Sequence, residues 1–238
     1  MNRARQLRFS AEGLTRIVGR RHLLRDISFM ATGGECVALV GRNGAGKTTL
    51  LSLLAGRDPP DRGKVVLDRD QKEVTGREYG AVTAFLPHDL FIYPDLTARE
   101  NLEFFATLQN AKDPGERASD ALEKVGLADH ADRVVRAFSR GMQQRVAVGR
   151  LLSSRATVWF MDEPSTGLDA PGRDWLTATL SAHVENGGLV FMASHSQDEV
   201  GAGGTRVMVL EAGRLVLDEP GGPEGARRAF QRMEGEGN

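Results

Sequence analysis

A chain of 238 residues, 40% of them hydrophobic, is long enough to bury one large core, or a core with an attached subdomain. Its 31 Lys and Arg against 32 Asp and Glu leave a formal net charge of -1, which excludes a generally basic nucleic-acid surface, though not a local basic patch. The single cysteine, Cys36, excludes an internal disulfide framework and any Cys-x-x-Cys metal or haem-attachment motif, and its apolar neighbours make it a small core residue.

No apolar run approaches the roughly 18 residues that a membrane-spanning helix needs. Met1 to Arg5 lead into no signal-type apolar stretch. The expectation is a soluble, cytoplasmic chain, so any work at a membrane requires a partner that carries the spans. In chain order, Leu7 to Gly13 and Leu23 to Met30 carry short alternating patterns suited to strands at one edge of the fold. Leu14 to Arg21 between them reads as a solvated turn, with Arg20 and Arg21 as a less favoured pair of nucleotide contacts. Cys36-Val37-Ala38-Leu39-Val40 is the continuous apolar run of a buried parallel strand.

That strand feeds Gly41-Arg42-Asn43-Gly44-Ala45-Gly46-Lys47-Thr48, which fits G-x-x-x-x-G-K-[ST] at every fixed position, and a helix is predicted from Thr49 to Ala55. Glycines let the backbone fold tightly enough for successive N–H groups to point inward, and the helix adds the positive end of its dipole. Phosphate oxygens fit such a nest. Lys47 is expected to reach the β- and γ-phosphates of a nucleoside triphosphate, and the Thr48 hydroxyl to coordinate Mg²⁺.

Gly56 to Gly63 is a dense turn signal before a strand at Val65 to Leu67, and a second apolar run, Ala81 to Leu86, ends at Pro87-His88-Asp89. Thr97-Ala98-Arg99-Glu100 supplies a capping box for a helix on which Leu102, Phe105 and Leu108 recur at helical spacing, with Phe104 and Phe105 read as core by default and as partner contacts in the less favoured reading. Pro114-Gly115 is expected to break the pattern before a further helix from about Glu116 to Val125. The stretch of about 88–152 reads as a helical subdomain inserted in an α/β core. Ser139 is placed to cap its last helix, and Gly141 leaves the helix start open to an anion.

Thr157 to Met161 is an apolar strand running into Asp162-Glu163-Pro164. At the end of a central parallel strand a carboxylate faces the ligand crevice, so Asp162 can hold Mg²⁺ and Glu163 can polarise a water for attack on a γ-phosphate. Ser165 to Asp169 follows as a loop, and Leu189 to Ser194 is the next strand, with His195 at its exit. Val207 to Leu210 and Leu215 to Leu217, joined through Glu211 to Arg214, read as a hairpin, and 219–238 reads as a flexible C-terminal tail.

Over about Leu7 to Leu217 these pieces, in this order, resemble the nucleotide-binding domain of the ABC ATPase family. Gly41 to Thr48 is similar to its Walker A loop, Ser139 to Gln143 to a variant of its LSGGQ signature, and Met161-Asp162-Glu163 to Walker B with the catalytic glutamate. Ser165 to Asp169 is similar to the D-loop, and His195 to the switch histidine. The resemblance implies a P-loop NTPase core with a mainly parallel sheet and an N-terminal antiparallel β subdomain, the whole ATP-binding domain spanning 1–218. It implies ATP and Mg²⁺ as cofactors, a phosphate site that includes Asn43, Gly44, Ala45, Gly46 and Thr49, and catalytic roles for Glu163, His195 and Lys47. It further implies head-to-tail pairing with a second copy or a similar ATPase subunit, each Ser139, Gly141 and Asp169 closing over ATP held by the other chain. The remaining expected partner is a multi-span membrane permease, contacted by His88 to Leu96 and the following helix from the inner face of the cell membrane; nucleic acid is not expected.

Three positions depart from the family pattern. His88 stands where a glutamine usually senses Mg²⁺ and the attacking water, and altered coupling rather than lost activity is expected. Val18 stands near the adenine-stacking aromatic, which implies only a modest preference for ATP over GTP. Arg140 is the signature's third residue. Within the family, Leu86 to Asp89, Leu96 to Leu102, Gly167 to Ala170, His183 and Gly187 to Val190 are similar to the haem-exporting ATPases of cytochrome c maturation. A soluble ABC ATPase working on ribosomes or DNA is the competing reading; such proteins usually carry tandem domains or a long coiled coil, and neither pattern is found here.

Overall fold

The apolar run at Cys36 becomes a strand with all five residues buried, and a six-stranded sheet grows outward on both sides of it. The computed structural model describes residues 6–235. In chain order the elements are β1 (Leu7–Val18), β2 (Arg21–Thr32), β3 (Cys36–Val40), α1 (Lys47–Leu54), β4 (Arg62–Arg69), β5 (Lys72–Glu73), α2 (Gly76–Val82) and β6 (Thr83–Leu86). There follow α3 (Ala98–Leu108), α4 (Pro114–Lys124), α5 (Arg140–Ser154), β7 (Val158–Asp162), α6 (Ala170–Glu185), β8 (Leu189–Ala193), α7 (Gln197–Gly203), β9 (Arg206–Glu211), β10 (Arg214–Pro220) and α8 (Gly222–Gly235).

The larger sheet has the order β10-β9-β3-β8-β7-β6. Every pair from β9 to β6 is parallel, so β3, β7 and β8 all release their loops at one end. That end is where a doubly wound sheet opens its ligand crevice. The smaller sheet, β2-β1-β4-β5, is antiparallel. It packs on one face of the large sheet, where Phe9 meets Phe160 and Phe191 with ring centroids 5.8 and 5.0 Å apart. The opposite face is covered by α5 to α8.

Helices α3, α4 and the first half of α5 share a separate cluster around Leu102, Leu122, Val125 and Val146, while Ala147, Val148 and Leu151 further along α5 join the core beneath the sheet. One helix thus belongs to both bodies. The capping box forms as predicted: Thr97 Oγ1 accepts from Glu100 N at 3.1 Å, and Glu100 Oε2 accepts from Thr97 N at 2.8 Å.

Four local expectations change. Strands β1 and β2 run on to Val18 and start again at Arg21, so the turn expected over Leu14 to Arg21 shrinks to Gly19-Arg20; pairing of Leu14 with Ile27 and Val18 with Arg21 absorbs the rest. Pro114 separates α3 from α4 as expected but opens α4 itself, two residues ahead of the expected start at Glu116, because a proline in the first turn gives up an N–H that has no helical partner anyway. Phe104 is 38% exposed and Leu108 62% exposed, outside the core where helical spacing put them.

The fourth concerns the tail expected to be flexible over 219–238. Within it, Glu219 and Pro220 finish β10, and α8 follows, with Ala226 and Ala229 fully buried against the core beneath the sheet. The Pro/Gly-rich run is a helix start: Gly221 N and Gly222 N donate to Thr205 O and Gly204 O, both at 2.9 Å, and Gly222 adopts φ +76° ahead of Pro223. Residues 236–238, like 1–5, lie outside the described residues.

Candidate nucleotide site

The phosphate loop joins β3 to α1 and closes like a cradle. Gly46 sits at φ +109° as the N-cap, and a Cβ there would lie 2.9 Å from both Leu23 O and Leu24 Cδ2, so only glycine fits. The first amides of α1 have no carbonyl of their own helix to bond, which leaves them for an anion. Lys47 is buried and donates from Nζ to Gly41 O at 2.7 Å, curling over the loop it belongs to. Burial pushes its pKa down, opposed by Glu163 and then Asp162. Two carboxyl groups therefore favour the charged ammonium against the dehydration of its place. A cavity of about 260 Å³ is lined by Asn43, Gly44, Gly46, Lys47, Thr48, Thr49, Asp162 and Glu163. Ala45 is buried behind the loop, and its carbonyl accepts from Gly213 N at 3.1 Å.

Thr48 Oγ1 donates to Asp162 Oδ2 at 2.7 Å. Two oxygens from distant parts of the sequence, one on α1 and one ending β7, thus converge beside Lys47. This oxygen donor set suits Mg²⁺, a hard cation that takes few protein ligands and fills its remaining positions with water and phosphate. Glu163 follows at φ +53°, a left-handed conformation uncommon outside glycine, and its N–H donates to Ala193 O at 3.0 Å. The turn aims its carboxylate between two imidazoles. His195 Nδ1 lies 3.4 Å from Oε1 and His88 Nδ1 3.5 Å from Oε2. His88, which leaves β6 on one side, and His195, which leaves β8 on the other, are both exposed. The structure thus brings His88 to Glu163; it does not contact Thr48 or Asp162 by any described bond.

Four predicted residues lie elsewhere. Ser139 caps α5, its Oγ accepting from Met142 N at 3.3 Å, and Gly141 sits in the following turn, where its missing Cβ would be 3.1 Å from Gly167 O. Asp169 caps α6 by accepting from Gly172 N at 2.9 Å. None of these three lines the cavity around Lys47. Val18 is exposed at the end of β1. Arg140 lies over Gly167, its Cγ occupying the space that a Cβ there would need. Arg21, which the turn reading set aside, lines the Lys47 cavity because β2 begins at that residue. The less favoured reading of Arg21 as a nucleotide contact is the one that fits this position.

A second feature lies on the helical arm. Phe91, Tyr93, Phe104 and Leu108 form an exposed apolar group, with Tyr93 and Phe104 edge to face at 4.9 Å. Arg150 braces it from beneath: its guanidinium sits 3.9 Å from the Phe105 ring centre and donates to Leu90 O and Phe91 O at 2.6 and 3.0 Å. Burial first, then the charge of Arg57, lowers the Arg150 pKa to about 10.

A glycine cradle closed by a lysine, a threonine–aspartate pair, and a glutamate at the end of the same parallel strand define a P-loop nucleotide-hydrolysing cassette. The chain belongs to the ABC transporter family, whose profile matches residues 24–166, and it is an ATP-binding, ATP-hydrolysing cassette of that family. It is 37% identical over 200 residues to the cytochrome c biogenesis ATP-binding export protein CcmA of Dechloromonas aromatica, covering 84% of this chain and 98% of that one. The protein of that name from Haemophilus influenzae is 36% identical over 192 residues, covering 81% and 91%. Among solved structures, the dimeric ATP-binding cassette MJ0796 bound to ADP and Pi superposes with a TM-score of 0.78 at 23% identity, over 89% of this chain and 98% of that one. This likeness establishes the shared fold.

Proposed function

We propose that the chain is the ATP-hydrolysing motor subunit of a membrane transporter that serves cytochrome c maturation, in the step that exports haem or drives its delivery. The observation that carries the catalytic part is the convergence of Lys47, Thr48, Asp162 and Glu163 at one end of the sheet, with Glu163 held between two histidines. The relatives' names support the biological assignment.

In this reading Lys47 and the amides of Gly44 to Thr49 bind the β- and γ-phosphates, with Asn43 and Gly41 at the rim. Thr48 and Asp162 hold Mg²⁺, which when bound neutralises charge on the phosphate oxygens. Glu163 accepts a proton from the water whose oxygen attacks the γ-phosphorus as the bond to ADP breaks. His195 orients that carboxylate and contacts the γ-phosphate, and His88 takes the place of a glutamine near the water. Ser139, Gly141 and Asp169, which do not line the chain's own Lys47 cavity, serve the site of a second copy paired head to tail. The apolar group of Phe91, Tyr93, Phe104 and Leu108 on the 88–152 arm receives a multi-span permease and keeps the subunit at the inner face of the membrane.

The experiment is recovery of tagged Glu163→Gln protein from its native membranes in mild detergent, with mass spectrometry of what accompanies it. A multi-span protein encoded among cytochrome c assembly factors is the expected partner. Recovery of ribosomal or DNA-bound partners alone would overturn the transporter assignment.

A further inference from the structure

The acid at position 199, on α7, has no part in the nucleotide cavity, yet it is only 8% exposed. Its Oε2 accepts two hydrogen bonds. One comes from Ser165 Oγ at 3.0 Å, two residues beyond Glu163, and the other from Ser194 Oγ, the residue before His195. The second loop is further tied to α7: Ser194 Oγ accepts from Ser196 N at 3.0 Å, and Ser196 Oγ caps the helix by accepting from Glu199 N at 3.3 Å. One carboxyl oxygen therefore joins the loop carrying Glu163 to the loop carrying His195. The other oxygen, Oε1, is buried with no hydrogen-bond partner.

A buried acid with an unpaired oxygen is costly, and such a group needs a reason to be kept. Here the reason lies in what it joins. Glu163 occupies a left-handed backbone conformation, which persists only where the surroundings over-determine it. Its contact with His195 is a long 3.4 Å, too weak to hold two loops in register. The other described tie between the loops is the Glu163 N to Ala193 O bond at 3.0 Å, which fixes the backbone but not the hydroxyl-bearing turns beyond it.

We propose that Glu199 is a positioning residue that locks the Glu163 loop to the His195 loop, so that base and histidine stay aligned for attack on ATP. The inference rests on the ATPase reading above and adds to it a residue with no contact to nucleotide. Burial raises the Glu199 pKa, with the bonds from Ser194 and Ser165 opposing the rise, and what joins the loops is an oxygen that accepts both serine hydroxyls. A neutral amide can do the same work.

The test compares full-length parent, Glu163→Gln, Glu199→Ala, Glu199→Gln and Ser165→Ala/Ser194→Ala proteins in steady-state ATP hydrolysis with Mg²⁺, and in binding of a fluorescent ATP analogue. Misalignment by a fraction of an ångström is expected to lower kcat by about 10- to 100-fold in Glu199→Ala and in the double serine variant, with KM and analogue affinity within roughly twofold of the parent. Glu199→Gln is expected to recover most of the turnover, since its amide oxygen can accept both serine bonds. Adding Glu199→Ala to the double serine variant is expected to cost little more, because the three side chains act as one unit. The serine variant removes only two hydroxyls, which keeps the test open if Glu199→Ala folds poorly. A parent kcat in the serine variant, or loss of kcat and analogue binding together, overturns the inference while leaving the ATPase reading intact. A parent without turnover, or Glu163→Gln hydrolysing like the parent, overturns the ATPase reading and the inference with it.

Discussion

The two working regions of this molecule are built on opposite principles. At the sheet end, Lys47 and Asp162 are buried, and glycine geometry and paired charges hold each group where water is scarce. On the helical arm, Phe91, Tyr93, Phe104 and Leu108 are left in solvent and braced from below by Arg150. Polar groups are buried where chemistry needs a preorganised field, and apolar groups are exposed where a partner can supply the missing burial. Under the proposed function, chemistry and docking are therefore expected to break separately, each damaged without the other.

The largest expected effect follows from removing the base. Glu163→Gln should lower turnover by about 10²- to 10⁴-fold while ATP affinity and permease recovery persist, since only proton transfer is lost. Parent-like hydrolysis would show that some other group takes the proton. Lys47→Ala should come next. Losing a charged hydrogen-bond donor worth about 1.5 to 3 kcal/mol corresponds to roughly 10- to 100-fold weaker ATP binding, readable by titration calorimetry. Unchanged affinity would remove Lys47 from the phosphate site.

On the other region, Phe104→Asp combined with Leu108→Asp should reduce co-purified permease by about tenfold or more, because each buried apolar side chain contributes about 1.5 to 3 kcal/mol. ATP affinity of the isolated subunit is expected to stay at the parent value; if it falls with docking, the two regions are not separable. The smallest change is expected at the rim. Val18→Tyr should tighten ATP and GTP alike by about fivefold, the low end of a stacking gain of about 1 to 3 kcal/mol, since any base offers a face to the ring. A gain confined to ATP would mean that the edge of adenine is read elsewhere.

Legibility differed between the regions for a physical reason. The phosphate loop is local: eight consecutive residues carry the glycines, the lysine and the threonine, and the flanking strand and helix declare themselves by apolar runs. The Asp162–Glu163 pair was legible because it interrupts an otherwise apolar strand. The burial of α3 is not legible, since helical spacing identifies one face of the helix without telling how much of that face meets the core; Leu102 is buried and Leu108 exposed on the same stripe. Turn residues at the C-terminus misled in the same way. Gly221, Gly222 and Pro223 suit a mobile end and a helix start equally well, and the buried Ala226 and Ala229 decide for the helix.

By itself, the sequence determined the nucleotide-binding loop, the strand and helix that flank it and the carboxylates available to it, because each depends on residues adjacent in the chain. Only the tertiary structure decided that Thr48 meets Asp162, that His88 and His195 flank Glu163, and that Glu199 joins the loops bearing Glu163 and His195. Those contacts depend on which strands lie side by side, and strand neighbours are chosen by packing across the whole sheet rather than by any local run of residues.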